Sequence, residues 1–256
     1  MPKSSPLAER LSQVKQRIAA AAQKAGRNPS EITLIVVTKY AAPEQVREVL
    51  QLGVGDLGEN RVQVLTQRVS QFNEFYQRRL KSGDEMMAPR LRWHMVGHLQ
   101  RNKVKGVLPL VDLIHSIDSL RLAEEIETQA GKLGKRIPVM LQLNASEEST
   151  KSGVAVGASL HLAEQIDSMS HMALVGLMTM AAMDSTPDQA RFVFSRTREI
   201  FEELKWHKIG GATFRHLSMG MSNDFEAAIA EGATMVRIGS AIFGNKAPDN
   251  EEPDER

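Results

Sequence analysis

The sequence predicts an α/β fold: a single (β/α)8 barrel of the TIM type, preceded by an extra N-terminal helix. Three observations support this prediction. Eight short apolar runs alternate with amphipathic helical segments, the chain has 256 residues, and no linker divides it. Strands that alternate with helices are typical of a parallel sheet. Right-handed crossovers and a chain of this length favour closure of that sheet into a barrel.

The helical and strand patterns follow one another along the whole chain. Residues 7–26 predict the N-terminal helix, because apolar side chains recur there at helical spacing. The predicted strands are 31–38, 54–58, 91–97, 111–117, 136–143, 171–178, 213–218 and 234–238. The predicted helices between and after them are 43–52, 60–81, 99–106, 119–133, 157–168, 186–205 and 222–231. Residues 70–90 lengthen one helix and its loop, and we expect a surface elaboration there.

The composition places limits on the protein's class. We expect one domain over residues 1–247 and a disordered tail over 248–256, which is acidic and contains proline. A net charge of +1 gives no global field toward nucleic acid or a membrane surface. The lack of cysteine excludes disulfides, thiolate catalysis and sulfur-bound metals. Since no apolar stretch reaches membrane length either, we expect a cytoplasmic monomer without nucleic-acid or membrane partners.

Lys39 follows the first predicted strand directly. Six of the seven residues in 32–38 are β-branched, which is typical of a strand buried on both faces in a parallel sheet. A lysine at the carboxyl end of such a strand lies at the barrel mouth, where α/β proteins place their chemistry. A desolvated lysine amine there can attack an aldehyde. The alternative is a strand-end lysine that only reaches water.

Two segments near the end of the chain predict a phosphate site. Residues 217–224 begin at the end of the seventh strand and contain Ser218, whose hydroxyl can contact a ligand. Residues 236–244 contain the eighth strand, after which Gly239 and Ser240 begin another helical segment. Barrels often bind phosphate after strands 7 and 8, at the N-terminus of a short helix. The alternative is a pair of ordinary turns, because glycine and serine are common in turns.

Three further side chains at strand ends are candidates for ligand contact. Arg237 is a permanent hydrogen-bond donor, although a surface or salt-bridged arginine is the commoner case. Asn60 either contacts a ligand or caps the helix from Arg61 onward. His94 and His98 are four residues apart, but they lie in a strand pattern, so we expect no metal site. Either one of these histidines approaches the barrel mouth, or both are ordinary hydrogen-bonded residues at a strand end.

Together, these candidates comprise a reactive amine, a phosphate site and an arginine donor. Pyridoxal 5′-phosphate (PLP) carries an aldehyde, a phosphate and a basic ring nitrogen, and it matches all three features. A Schiff-base aldolase that acts on a phosphorylated sugar would match only the amine and the phosphate site.

Eight ordered peptides resemble those of the pyridoxal phosphate homeostasis family, the YggS/PROSC type. The peptides lie at 37–39, 58–63, 94–100, 115–119, 151–153, 176–180, 217–222 and 236–240. This resemblance implies a barrel similar to the N-terminal domain of bacterial alanine racemase, with PLP joined to Lys39 through an imine. It further implies the following contacts: phosphate held around Ser218, Met219, Gly239 and Ser240; Arg237 facing the pyridine nitrogen; Asn60 and His94 lining the ring.

We expect a protein that holds PLP and buffers it or delivers it to PLP-accepting apoenzymes, without catalytic turnover. Racemisation needs a second base, which alanine racemase takes from a separate C-terminal domain, whereas this chain stops soon after the eighth strand. Tyr40 should oppose Lys39 on the strand, and Tyr76 lies in the elongated helix. Arg237 at the ring nitrogen would also weaken the cofactor as an electron sink. The alternative is a weak PLP-dependent amino-acid racemase or lyase.

Overall fold

The computed structural model describes residues 5–83, 90–146, 152–182 and 184–244. Within these residues, nine strands form one sheet in the order β4-β3-β2-β1-β9-β8-β7-β5-β6, and a further pairing joins β4 to β5. Every pairing is parallel, and the β4–β5 pairing closes the sheet into a ring. The predicted tail at 248–256 and residues 84–89 of the predicted elaboration lie outside the described residues.

The strands agree with the prediction at all eight expected places. They are β1 Thr33–Val37, β2 Asp56–Glu59, β3 Arg92–Met95, β4 Leu113–Ile117, β5 Ile137–Asn144, β6 Val154–Ala155, β7 Met172–Thr179, β8 His216–Ser218 and β9 Met235–Ile238. The two-residue β6 was not predicted, and it pairs with the last two residues of β5. The eight barrel strands are therefore β1–β5 and β7–β9. The predicted (β/α)8 barrel is confirmed.

The helices surround this ring. They are α1 Pro6–Lys24, α2 Pro43–Gln51, α3 Val62–Lys81, α4 Val104–Val107, α5 Leu120–Leu133, α6 Ser159–Asp167, α7 Pro187–Trp206, α8 Phe225–Ala230 and α9 Ser240–Phe243. Short 3-10 helices lie at Pro29–Glu31, Arg101–Lys103, Val156–Ala158 and Gly211–Thr213. None of the helices in the described ranges is long and apolar enough to cross a membrane.

The N-terminal helix α1 supports the two segments that were predicted to bind phosphate. Ser5 caps its first turn by accepting a hydrogen bond from the Ala8 amide at 3.0 Å. Its buried face packs against α8 and α9, the helices that follow those segments. The guanidinium of Arg10 donates from Nε to the Ile242 carbonyl at 2.6 Å, which attaches α1 to α9.

The strand order brings four carboxyl ends together at one side of the barrel mouth. Strand β1 pairs with β2 on one side, where Val37 is opposite Gly58. On its other side β1 pairs with β9, where Ile35 is opposite Arg237, and β9 in turn pairs with β8. Because parallel strands end at the same edge of a sheet, the residues that follow β2, β1, β9 and β8 are neighbours.

The main core lies between the strands and the helices, and a second, smaller apolar cluster fills part of the barrel interior. That inner cluster consists of Ile35, Leu113, Met140, Met178 and Met235. Side chains two residues apart on a strand share a face, so Arg237 points into the interior as Met235 does. His94, His115 and Ser218 are buried with it, which makes the upper interior unusually polar for a barrel.

Candidate functional site

The four adjacent strand ends carry most of the residues that the sequence predicted for the site. These are Asn60 after β2, Lys39 after β1, Arg237, Gly239 and Ser240 in and after β9, and Ser218 and Met219 at the end of β8. His94 lies in β3, the next strand beyond β2. The barrel therefore gathers residues that are separated by as many as 201 positions in the chain, from Lys39 to Ser240.

Lys39 lies two residues beyond β1 and its side chain is exposed. Its Nζ is 4.4 Å from the centroid of the Tyr40 ring. The expectation of a desolvated amine is not met in this structure, and the expectation that Tyr40 opposes Lys39 is wrong. The physical reason is that β1 ends at Val37, and the turn that follows no longer keeps the alternation of a strand.

The turn that carries Lys39 is held by two buried side chains, those of Glu59 and Arg68, and the sequence analysis missed Arg68. Arg68, on the buried face of α3, donates from Nη2 to the carbonyls of Thr38 at 2.9 Å and Ala41 at 2.8 Å. Its Nε lies 2.8 Å from Oε1 of Glu59, which also accepts a hydrogen bond from the Thr38 hydroxyl. The sequence did contain a signal for Arg68, because this arginine lies among apolar residues on the buried face of an amphipathic helix.

Glu59 is a fully buried carboxyl group next to this turn. Burial raises its pKa above the ordinary value, although the Thr38 hydroxyl and the charges of Arg68 and Lys39 oppose this increase. Its second oxygen, Oε2, is buried and has no hydrogen-bond partner among the described residues. Glu59 is therefore a group that can hold a proton close to Lys39.

Asn60 does not cap the helix that follows it. Helix α3 begins at Val62, its N-cap residue is Arg61, and no side-chain capping hydrogen bond is made there. The Asn60 Oδ1 atom is buried and lacks a hydrogen-bond partner within the described part of the chain. A Cβ atom at Gly97 would lie 2.1 Å from the Asn60 carbonyl oxygen, so the backbone at Gly97 packs closely against this residue. Because an unpaired buried amide is costly, these facts favour the ligand-contact interpretation.

His94 is buried and both of its ring nitrogens already have partners. Nε2 is 2.9 Å from Oδ1 of Asp56, and Nδ1 is 3.0 Å from Nε2 of His115. Contact of His94 with a ligand ring is therefore limited to its carbon atoms. His98 is half-exposed and lies 3.2 Å from Asp118. In the described ranges, no three His, Asp or Glu side chains are grouped as a metal site would require.

Arg237 is 4% exposed, so the interpretation as a surface arginine is wrong. It donates from Nη1 to the Ser218 hydroxyl at 2.6 Å and from Nη2 to the Thr179 carbonyl at 2.9 Å. Burial lowers its pKa to about 10, against the opposing effect of the Asp224 charge, so the guanidinium stays protonated at neutral pH. Two of its five N–H donors are used in these bonds, and three remain.

Two of the residues predicted to bind phosphate have polar groups that are already engaged. The Ser218 hydroxyl points into the barrel, where it accepts from Arg237 and lies 2.9 Å from Nδ1 of His115. Met219 is fully buried, and its amide donates to the Met235 carbonyl at 3.1 Å. Phosphate contact by these two residues stays a prediction, and it requires a backbone or side-chain rearrangement.

The two segments predicted to bind phosphate, 217–224 and 236–244, each contain glycine and serine and are called the glycine-serine segments. They are joined to each other, and the second is also joined to the end of β1. The Ala241 amide donates to the Ser222 hydroxyl at 3.2 Å, and the Arg237 amide donates to the Gly220 carbonyl at 3.0 Å. A Cβ atom at Gly239 would lie 2.8 Å from the Val37 carbonyl, so a glycine is needed for this approach. Ser222 was missed as a site residue, because only the folded chain places it against α9.

Comparison with known proteins agrees with this arrangement. The family model described as "Alanine racemase, N-terminal domain" matches residues 10–247. The chain is 39% identical over 238 residues to the pyridoxal phosphate homeostasis protein of Aquifex aeolicus, covering 93% of this chain and 97% of that protein. It is 36% identical over 241 residues to the protein of the same name from Escherichia coli K12, covering 93% and 96%.

Solved structures give the same result. The structure of PipY from Synechococcus elongatus without PLP matches with a TM-score of 0.79 and 30% identity, covering 93% of this chain and all of PipY. The structure of PipY with PLP bound matches with a TM-score of 0.72 over the same share of each chain. An alanine racemase from Clostridium difficile is 15% identical with a TM-score of 0.65, which shows the barrel alone. This chain belongs to the pyridoxal phosphate homeostasis family, within the larger family of the alanine racemase N-terminal domain.

Proposed function

We propose that this protein binds PLP at the barrel mouth, through a covalent link to Lys39, and buffers or delivers it within vitamin B6 homeostasis. One observation carries the proposal: four adjacent strand ends hold an exposed amine, a buried amide oxygen without a partner, a buried guanidinium with unused donors and two tied glycine-serine segments. The relatives that bear the name pyridoxal phosphate homeostasis protein, and PipY solved with PLP, support it.

Each part of this set fits one part of PLP. The cofactor supplies an aldehyde that reacts with amines, and Lys39 supplies the amine. Arg237 directs its remaining N–H donors to the ring nitrogen, and the unpaired Oδ1 of Asn60 gains a partner at the ring. The segments 219–222 and 239–240 would hold the phosphate, chiefly through backbone N–H groups.

The same set favours storage over catalysis. A guanidinium that donates to the ring nitrogen leaves that nitrogen without a proton, which weakens the electron sink on which racemases and transaminases depend. Because the amine of Lys39 is exposed, an incoming amine can reach the covalent link and exchange with it. We therefore propose that the protein has no catalytic turnover and delivers PLP to PLP-accepting apoenzymes. We further propose that it acts as a cytoplasmic monomer.

The covalent link can be tested directly. Protein loaded with PLP is reduced with borohydride and digested, and the labelled peptide is identified by mass spectrometry. We expect the label on Lys39 and no label after Lys39→Ala. Lys205→Ala is a matched control, because Nζ of Lys205 also lies over an aromatic ring, 5.4 Å from the Phe201 centroid, but on the outer helix α7. Equal labelling of the wild type and Lys39→Ala would refute the proposal.

Weak racemase or lyase activity is the second candidate function, and one observation favours it. Nζ of Lys39 lies 4.4 Å from the centroid of the Tyr40 ring, so a phenol that was expected to point away is near the amine and is a candidate acid or base. PLP-loaded protein is incubated with amino acids in deuterated water, and deuterium at Cα is measured. We expect no exchange above that of free PLP. Rapid exchange that Tyr40→Phe abolishes would establish the enzymatic function instead.

A further inference from the structure

A chain of hydrogen bonds crosses the barrel interior and ends at Arg237. It begins at Asp56, the first residue of β2, whose Oδ1 lies 2.9 Å from Nε2 of His94. Nδ1 of His94 is 3.0 Å from Nε2 of His115, and Nδ1 of His115 is 2.9 Å from Oγ of Ser218. The Ser218 Oγ accepts from Arg237 at 2.6 Å. The chain thus runs from the amino end of the strands to the mouth.

The residues at the two ends of this chain of hydrogen bonds fix the direction in which protons are donated along it. Burial alone would raise the pKa of Asp56, but hydrogen bonds from His94 and Arg92, together with the charge of Arg92, lower it below the ordinary value. Asp56 is therefore ionised at neutral pH and only accepts, so Nε2 of His94 carries a proton. At the other end, Arg237 only donates, so the Ser218 oxygen accepts from it.

The protonated nitrogen of His115, in the middle of the chain, follows from these two ends. Burial lowers the pKa of His115 well below its ordinary value, and the charge of Arg237 adds to this, so His115 is neutral. A proton on its Nδ1 would require His94 to be doubly protonated. Arg92, whose side chain is 43% exposed, already balances the Asp56 carboxylate at 2.7 Å, so a positive charge on the buried His94 ring would be uncompensated. His115 therefore donates from Nε2 to His94, and its Nδ1 accepts from the Ser218 hydroxyl.

We propose that Asp56, His94 and His115 are positioning residues that orient Arg237 through Ser218. The inference rests on the proposed function, because the group that Arg237 would contact is the PLP ring nitrogen. Barrel interiors are usually filled by branched apolar side chains, whereas here five polar groups satisfy one another in a single direction. Breaking one link leaves a buried donor or acceptor unpaired and frees the Ser218 hydroxyl to turn away from His115.

The tautomers provide a test that needs no ligand. Nitrogen NMR of the imidazole rings, recorded on the ligand-free wild type at neutral pH, distinguishes the protonated nitrogen in each ring. We expect the Nε2–H tautomer in both His94 and His115, with assignments from His94→Gln and His115→Gln. His98→Gln is the control, since His98 lies outside the chain of hydrogen bonds. An Nδ1–H tautomer of His115 would overturn the proposal.

A variant at the far end tests the effect on the site. Asp56→Leu keeps a similar size and removes the acceptor of the His94 hydrogen bond, at the end of β2 opposite the mouth. We expect PLP to bind about three- to tenfold more weakly, as the loss of about one net hydrogen bond implies, and the absorption maximum of the bound cofactor to shift. Arg92→Met removes the other partner of Asp56 but leaves the chain intact, and we expect both quantities to change little.

The outcomes separate this inference from the proposed function. If the wild type does not bind PLP, the proposed function fails, while the ligand-free tautomers still show whether the directional chain exists. If PLP binds but Asp56→Leu leaves affinity and spectrum unchanged, or if Arg92→Met has an equal effect, the positioning role is refuted. If Asp56→Leu does not fold, the tautomers of the wild type decide between the two outcomes.

Discussion

Arg68 donates a hydrogen bond to the carbonyl of Thr38, the residue directly before Lys39, at 2.9 Å. The same nitrogen reaches the Ala41 carbonyl at 2.8 Å, so one guanidinium holds both sides of the turn that carries Lys39. The charge of Arg68 is balanced by the buried Glu59 at 2.8 Å. These contacts hold the backbone of the turn at Lys39, while the Lys39 side chain stays exposed to solvent.

Replacing Arg68 should therefore weaken both the fold and PLP binding. Arg68→Met leaves the Glu59 carboxyl buried without a cation, and we expect the free energy of unfolding to fall by about 3 kcal/mol, measured by urea denaturation. The control is Arg196→Met, which removes an exposed pair with Glu199 and should cost at most about 0.5 kcal/mol. Equal losses in the two variants would contradict the role of Arg68 in holding the turn.

The raised pKa of Glu59 predicts a pH dependence of stability. In the folded protein Glu59 keeps its proton to a higher pH than in the unfolded chain, where the ordinary value is 4.5. Between these two values the folded state binds more protons, so its stability falls as pH rises. Glu59→Gln lacks this contribution. We expect the wild type to lose stability relative to Glu59→Gln as pH rises from about 4.5, measured by urea denaturation; a difference that does not vary with pH would argue against it.

Asn60 should affect PLP binding much more than the stability of the ligand-free protein. Its Oδ1 is buried without a hydrogen bond, so Asn60→Ala removes an unsatisfied polar atom and should change the free energy of unfolding of the ligand-free protein by less than about 1 kcal/mol. Affinity for PLP should fall about tenfold, because a bond made only to the ligand is lost. Urea denaturation and absorbance titration measure the two effects. A large loss of stability with unchanged affinity would show that Asn60 is structural.

Gly239 should not tolerate a side chain. In Gly239→Ala the new Cβ would lie 2.8 Å from the Val37 carbonyl, so the segment after β9 must move away from the end of β1. We expect a loss of about 1–3 kcal/mol of stability and weaker PLP binding, because the segment predicted to hold the phosphate is displaced. Gly106→Ala is the control, since nothing lies within 4 Å of its added Cβ. If both variants bind PLP like the wild type, Gly239 is not part of the site.

Much of the fold could be predicted because its signals are local. The β-branched run before Lys39 and the helical spacing from Leu7 to Ile18 each reflect which faces of one element are buried, and both elements were found. The predictions that failed concern positions where an element ends. Tyr40 was assigned the alternation of a strand that had already stopped, and Asn60 was considered as a cap one residue too early for α3.

The sequence by itself determined the barrel, the position of Lys39 at its mouth and the family, because periodicity and ordered motifs are properties of the chain alone. Only the tertiary structure decided what surrounds these residues. These surroundings are the contacts of Arg68 with the Lys39 turn, the unpaired Oδ1 atom of Asn60 and the hydrogen bonds that lead from Asp56 to Arg237. They involve residues on different strands and helices. Hydrogen bonds of this kind depend on register and closure of the sheet, and no spacing within one element encodes them.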